Sequence, residues 1–386
     1  MVKHVYFPQT DLSLQRYPET TNPTLQAWDA ADELLLSELA RRELPEYLRI
    51  LIIHDSFGAL SCALHRYMPH YHHDSLLAEN AMRRNLQLNN IPEKAVRILP
   101  RLDSPAAHNQ YDVVLVKMPK QQVYLEYLLH QLRFKIHTGT RIIIAGMCRH
   151  IPGSTYALCS QVIGPTSSSK AVKKARLLYL QPDNVSTVES RYAARNLAVT
   201  ETWRGHTLVK LPNTFARRHI DVGSRLLADS LPKYSTCNRI LDIGCGNGFI
   251  ALAAAEAYPD AKITGIDESY LAVESAKETF RMSSHTRPLP SLRNAEFLVM
   301  DGGDMQFEND FNLIVCNPPF HEQGAVNRRL ALRILLEAQK HLASGGEIFV
   351  VANTSLGYQG TLKSYFPLVE ITARRNGYMV IRLAQE

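Results

Sequence analysis

The chain has 386 residues, of which 45% are hydrophobic and 21% charged, and its formal net charge is +6. That length exceeds what one core usually holds and suits two domains of about 190 residues each. No run of about 18 apolar residues occurs, which excludes a membrane-spanning helix.

The opening residues Met1-Val2-Lys3-His4-Val5-Tyr6-Phe7-Pro8 lack the apolar core of a secretory signal. The six cysteines, at 62, 148, 159, 237, 245 and 316, form no CxxC pair and no zinc spacing. Reduced cytoplasmic thiols and no bound metal are expected. A helix is predicted over 22–42, with Leu25, Trp28, Ala31, Leu34, Leu35 and Leu39 at helical spacing. The apolar run Arg49–Ile53 reads as a buried strand that ends in the turn His54-Asp55-Ser56-Phe57-Gly58. Further on, a polar helix is predicted from about Asp74 to Asn85, a strand over 111–117, a helix over 121–136 and a strand over 141–146. Strands alternating with helices of this length indicate a parallel, doubly wound α/β sheet. The turn-rich Gly164–Ser169 leads into a basic cluster of Lys170, Lys173, Lys174 and Arg176. A domain junction is expected near 190/191, giving domains 1–190 and 191–386.

The second half repeats the plan, with strands expected at 239–243, 262–266, 295–300, 311–315, 347–352 and 378–383. Helices are expected over 249–257, from 269, and over 328–341. Leu51–Gly58 lies over Leu241–Gly248, Tyr111–Lys120 over Phe311–Phe320, and Thr138–Arg141 over Ser344–Glu347. The offsets are 190, 200 and 206, so the order is kept with small insertions, as in a duplicated domain. Charge divides unevenly between the halves. Residues 1–200 carry 23 Lys and Arg against 17 Asp and Glu, and the rest carry 20 of each. A basic first half is what a polyanionic partner would select.

In the second half, Asp242-Ile243-Gly244-Cys245-Gly246-Asn247-Gly248 follows a strand and opens a helix. Glycines there let a ligand approach the backbone, and the preceding acid suits a ligand that carries an ammonium group. Asp267 ends the next strand, where an acid accepts hydrogen bonds from ribose hydroxyls. Asp301, before Gly302-Gly303, is placed to receive an adenine amino group. The pattern resembles the Rossmann-like methyltransferases that use S-adenosyl-L-methionine.

At Asn317-Pro318-Pro319-Phe320 two prolines end a buried strand abruptly. The Asn317 side-chain oxygen and the Pro318 carbonyl would each accept an N–H of a planar amine and draw its nitrogen toward tetrahedral geometry. Phe320 would stack on an extruded base. The stretch Asn213–Leu227 is expected to fold over the site. Arg217 and Arg218 within it are candidates for phosphate contact, and Gly223 is placed among the cofactor-binding residues.

At the repeated positions the first half carries Ile52 for Asp242, His54 for Gly244 and Ser56 for Gly246, with Lys117-Met118-Pro119-Lys120 at the corner. Side chains at the glycine positions leave no room for the cofactor. Lys117 and Lys120 are expected to bind phosphates, so this copy reads as degenerate and RNA-binding. His70, His72 and His73 are expected to be solvated or packed rather than ligands.

Leu25–Glu33, Phe57–Leu64, Lys173–Leu177 and Cys316–His321 are similar to stretches of the two-domain ribosomal RNA guanine-N2 methyltransferases of bacteria, in particular the large-subunit branch. The resemblance implies two tandem Rossmann-like domains, the first degenerate, and methylation of a guanine amine in 23S rRNA with S-adenosyl-L-methionine. A pseudo-dimer within one chain suits a monomer, and free RNA and an assembling subunit both stand as the substrate. The small-subunit branch, acting on 16S rRNA, shares the architecture. Asn-Pro-Pro-aromatic chemistry also serves glutamine methylation in release factors and adenine methylation in DNA, and a non-enzymatic RNA-binding assembly factor is a further alternative.

Overall fold

The computed structural model describes all residues except 21, 42–43, 46, 103–109, 184–196, 235, 308–309, 320, 323–324, 327 and 386. They form two compact units, Met1–Leu197 and Ala198–Glu386. The junction expected at 190/191 lies outside the described residues.

The first unit opens with a hairpin of β1 (Lys3–Phe7) and β2 (Thr10–Leu14). Helix α1 (Ala30–Ala40) follows and is shorter than the expected 22–42. The Asp29 side chain accepts from the Ala31 and Asp32 amides, and Asp32 returns a bond to the Asp29 amide. This capping box fixes the helix start eight residues later than periodicity alone suggests. The rest runs β3 (Ile50–Ile53), α2 (Ala59–Ala63), β4 (His70–His72), α3 (Leu76–Leu88), β5 (Arg97–Ile98), β6 (Val113–Lys117), α4 (Gln122–Leu132), β7 (Arg141–Met147), α5 (Gly153–Val162), β8 (Thr166–Ser168) and β9 (Ala175–Leu180). β4 was not foreseen, because a strand of two histidines and a tyrosine has no apolar run. All three of its residues are buried.

The second unit also opens with a hairpin, β10 (Val199–Trp203) and β11 (His206–Lys210). It continues through α6 (Val222–Asp229), β12 (Arg239–Ile243), α7 (Phe249–Ala257), β13 (Lys262–Asp267), α8 (Tyr270–Thr286), α9 (Pro290–Arg293), β14 (Glu296–Val299) and β15 (Phe311–Cys316). The short pair β16 (His321–Glu322) and β17 (Ala325–Val326) precedes α10 (Arg328–Gln339), β18 (Leu342–Asn353), α11 (Tyr358–Leu362), β19 (Leu368–Arg375) and β20 (Tyr378–Ala384).

The sheets have the same wiring, β5-β4-β3-β6-β7-β9-β8 in the first unit and β14-β13-β12-β15-β18-β20-β19 in the second. The first five strands are parallel in each, and the sixth, β9 or β20, runs antiparallel to both of its neighbours. Register carries the equivalence to single residues. Ile53 pairs with Val116 and Ile243 with Cys316, while Val113 pairs with Arg141 and Leu313 with Glu347. All three offsets seen in the sequence are thus present in the strand pairing.

The sheet of the second unit is buried on both faces. Leu313 and Val315 of β15 join a cluster with Leu227, Phe249, Leu252 and Phe280. The alternate residues Ile314 and Cys316 pack with Ile334, Leu335, Tyr358 and Leu362. This two-sided burial explains why the central strands read as continuous apolar runs. The strand order reverses between β12 and β15, so the crevice at their carboxyl ends is where such folds bind ligands. Among the described residues no helix is long and apolar enough to cross a membrane.

Candidate functional site

The loop after β12 and the corner after β15 flank that crevice. Gly244 has φ +74° and Gly246 φ +56°. The Gly244 and Cys245 amides bond the Ile266 carbonyl at 2.8 and 2.9 Å. A Cβ added at Gly246 would meet nothing within 4 Å, and one at Gly244 only the Asn317 carbonyl oxygen at 3.8 Å. The loop is therefore an open cradle facing the corner. Gly248 serves packing instead, since a Cβ there would stand 3.2 Å from Ala276. Asn247 is half-buried. Cys245 is buried, and burial holds its thiol well above the usual range, so it stays protonated.

Asp242 is fully buried. Its Oδ2 accepts the Ala251 amide at 2.9 Å, whereas Oδ1 has no hydrogen-bond partner among the described residues. Burial pushes its carboxyl up to about 7, and the charge of Asp267 adds to the rise. Such an orphaned acceptor is costly unless a donor arrives, and an ammonium group of the cofactor would supply one. Asp267 ends β13, with Oδ2 on the Gly246 amide and Oδ1 on the Ser269 amide, both at 2.9 Å. The carboxylate takes the Glu268 amide as well, and of its roughly four lone-pair sites one is left for a hydroxyl. These features fit S-adenosylmethionine.

Two residues of the expected cofactor set have other partners. Asp301 Oδ1 accepts from the Gly303 amide at 2.8 Å, and Oδ2 pairs with Arg333 at 2.6 Å. Its acid is thus balanced by a cation from α10. Gly223 serves contact within the fold, because a Cβ there would lie 3.0 Å from both Asp221 Oδ2 and the Tyr378 ring.

At the corner Asn317 is half-buried, Pro318 buried and Pro319 exposed. Phe320 lies outside the described residues. The Asn317 amide nitrogen donates to Ser224 Oγ at 2.8 Å and lies 3.4 Å from Asp221 Oδ2. Sequence reasoning did not single out Asp221 or Ser224, although Asp221-Val222-Gly223-Ser224 is a legible cap signature. The preceding stretch is anchored from below. Buried Lys210 pairs with Glu201 and donates to the Ala216 carbonyl at 3.3 Å, while the Ile220 amide donates to Glu201 at 3.0 Å. Thr214 meets buried Ser275 of α8 at 2.9 Å. Arg217 is half-buried and Arg218 exposed.

The equivalent crevice of the first unit is filled. His54 stands at the Gly244 position with φ +66°, and its amide bonds the His72 carbonyl at 2.9 Å. Its ring stacks on His73 at 4.6 Å and meets Tyr124 edge-on at 5.8 Å. His73 precedes the cap Ser75 by two residues, as Asp267 precedes the cap Ser269. Burial depresses both imidazoles, His54 to about 4, so they pack as neutral rings. His70 bonds the Tyr111 hydroxyl and His72 the Leu99 carbonyl, so the cluster is packed rather than solvated. The carboxylate has moved as well. Asp55 takes the Ala59 and Ser61 amides at 3.0 and 2.9 Å, doing at the start of α2 what Asp242 does at the start of α7.

One expectation needs correction. Lys117 is not free for phosphate: its ammonium lies 2.7 Å from Asp29 and 2.8 Å from Asp32, with its side chain only 14% exposed. Two carboxylates around the one ammonium offset the charge of Lys117 itself, which leaves Lys120 as the exposed cation of that corner. Lys120, Lys170 and Lys174 are exposed. Lys173 is exposed but paired with Glu33 at 2.7 Å, and Arg176 donates to the Tyr156 hydroxyl at 3.2 Å.

Comparison with known proteins agrees with this division. The RLMG N-terminal domain matches residues 3–184 and the methyltransferase small domain matches residues 205–382. The ribosomal RNA large subunit methyltransferase G of Stutzerimonas stutzeri is 39% identical over 97% of this chain and 97% of its own. Its namesake from Pseudomonas aeruginosa is 38% identical over 97% and 98%. A T. Thermophilus 16S rRNA N2 methyltransferase (RsmC), solved with AdoMet and guanosine, superposes with a TM-score of 0.75 at 21% identity. It covers 100% of this chain and 98% of that one, and shows the shared fold. A degenerate-looking first unit, an open glycine cradle in the second and near full-length relatives lead to one conclusion: the chain belongs to the ribosomal RNA large subunit methyltransferase G family.

Proposed function

We propose that the second unit methylates the exocyclic N2 amine of a guanine in 23S rRNA, with S-adenosyl-L-methionine as donor, and that the first unit binds the RNA. The observation that carries this reading is the juxtaposition of the open cradle at Gly244 and Gly246 with the Asn317 corner, whose carbonyl oxygen would lie 3.8 Å from a Cβ placed on Gly244. The names of the close relatives favour the large subunit.

Asp242, Gly244, Cys245, Gly246, Asn247, Gly248 and Asp267 would hold the cofactor, with Asp301 toward its base. When bound, S-adenosylmethionine supplies a sulfonium methyl group and leaves as a neutral thioether. The Asn317 Oδ1 and the Pro318 carbonyl accept the two N–H groups of the amine, turning its lone pair out of conjugation with the ring. Pro319 stiffens the corner and Phe320 stacks on the base. No strong base is required, because a methylated ammonium loses its proton readily to water. Lys120, Lys170, Lys174 and Arg218 are the exposed cations that support phosphate binding, with Lys173, Arg176 and Arg217 as secondary contacts. We place the protein in the cytoplasm as a monomer.

The test offers labelled cofactor and, separately, protein-free 23S rRNA, 16S rRNA, DNA and release factor. Label on guanine N2 of 23S rRNA is expected. Label in 16S rRNA or release factor alone overturns the substrate assignment.

A further inference from the structure

We infer that Asp221 and Ser224, at the start of α6, orient the Asn317 amide and so fix the side from which the substrate amine is accepted. The inference rests on the reading of Asn317 as the amine acceptor and names two positioning residues for it. Asn317 Nδ2 donates to Ser224 Oγ at 2.8 Å, and Asp221 Oδ2 lies 3.4 Å from the same nitrogen. Asp221 Oδ2 also accepts the Ser224 amide at 3.0 Å and faces the Ser224 hydroxyl at 3.5 Å. An ionised carboxylate only accepts hydrogen bonds. The serine hydroxyl therefore turns its proton toward Asp221 and its lone pair toward the amide nitrogen. A flipped Asn317 would set its oxygen against the carboxylate, acceptor against acceptor. The amide nitrogen is thus held on α6 and Oδ1 is directed away from it, to where a donor on the substrate can reach it.

The first unit supplies an independent observation. Asp29 and Asp32 occupy the same two cap positions of α1, and they grip Lys117, the counterpart of Asn317. The two helix-start residues track what stands at the strand end. A cation is met by two carboxylates, and a neutral amide by one carboxylate and one hydroxyl. Ser224 is the residue that differs, and it suits a strand end that must stay neutral.

Ser224→Ala in the full chain tests this, because it keeps the backbone amide that Asp221 caps. The expected result is a kcat on 23S rRNA lowered about tenfold to a hundredfold, as small misplacements of reacting groups produce. The KM for RNA, the calorimetric affinity for S-adenosylhomocysteine and the thermal midpoint should stay unchanged. Ser224→Thr, which retains the hydroxyl, should recover most of the rate. Wild-type kcat in Ser224→Ala, or a loss shared with cofactor affinity or thermal midpoint, overturns the inference. Asn317→Ala run beside it separates the layers: full turnover there sinks the reading of the corner itself, whereas inactivity there with a normal Ser224→Ala sinks only the positioning role.

Discussion

The two units are one fold with two fates, and they differ most where they are most closely matched. At the residue after the first central strand, Gly244 and His54 share a left-handed backbone and the same amide bond across the sheet. One leaves space and the other fills it with a ring stacked on His73. At the strand-end corner, Asn317 and Lys117 both reach back to a helix start. Each change in the first unit is compensated locally: the acid lost at Ile52 reappears as Asp55, and the cation at Lys117 is met by Asp29 and Asp32. Loss of a ligand site therefore need not loosen a fold when the same polar groups find new partners within the same crevice.

The sharpest way to break the comparison is Asn317→Ala. Loss of one preorganised donor in an oxyanion hole costs about 10² to 10³ in rate, and by analogy kcat for methyl transfer should fall by about that much when the Asn317 acceptor is removed. Calorimetry should show S-adenosylhomocysteine binding as wild type. The matching change in the first unit, Lys117→Ala, should leave chemistry intact and act on stability. It strips the cation from Asp32, whose side chain is 6% exposed. Breaking a buried pair from one side costs about 3 kcal/mol, readable as an earlier unfolding transition of that unit. Unchanged stability would mean that the triad contributes nothing.

RNA binding should then depend on the exposed cations rather than on Lys117. Lys120→Glu with Lys174→Glu should lower the slope of log affinity against log salt by about 1.4 to 1.8, two phosphate contacts at 0.7 to 0.9 each. An unchanged slope would assign the first unit a purely structural role.

The smallest expected effect concerns Asp242. Its folded pKa of about 7 lies above the unfolded value near 3.9, so the folded apoprotein holds a proton that the unfolded chain releases. Stability from this group is complete below pH 4 and is lost as pH rises through 7. An ammonium beside Oδ1 favours the charged form, so cofactor affinity should rise between pH 6 and 8 with uptake of the ligand releasing a proton. Asp242→Asn should flatten that pH dependence.

Much of this was legible in the sequence because the fold is written in continuous apolar strands and glycine loops. The strands at Leu51–Ile53, Val113–Val116, Leu241–Ile243 and Phe311–Val315 are buried on both faces, so their runs stand out. The duplication followed from spacing and recurs in the strand register. What escaped was decided by contacts distant in sequence. β4 is a strand because His70 and Tyr71 pair with neighbours on both sides. Lys117 looked like a free cation because its carboxylates lie 88 and 85 residues earlier, on a helix whose start only the Asp29 cap reveals. Asp221 and Ser224 were hidden for the same reason, being legible as a cap but silent about the amide they hold.

The central claim is that one of two equivalent crevices, and only that one, binds the cofactor. Calorimetric titration of the full chain with S-adenosylhomocysteine tests it directly when paired with Gly244→His, a residue the first unit already accommodates at the same backbone angle. The expected result is one ligand per chain for the wild type and none for Gly244→His, with both proteins folded. Two ligands per chain, or binding that survives Gly244→His, would contradict it.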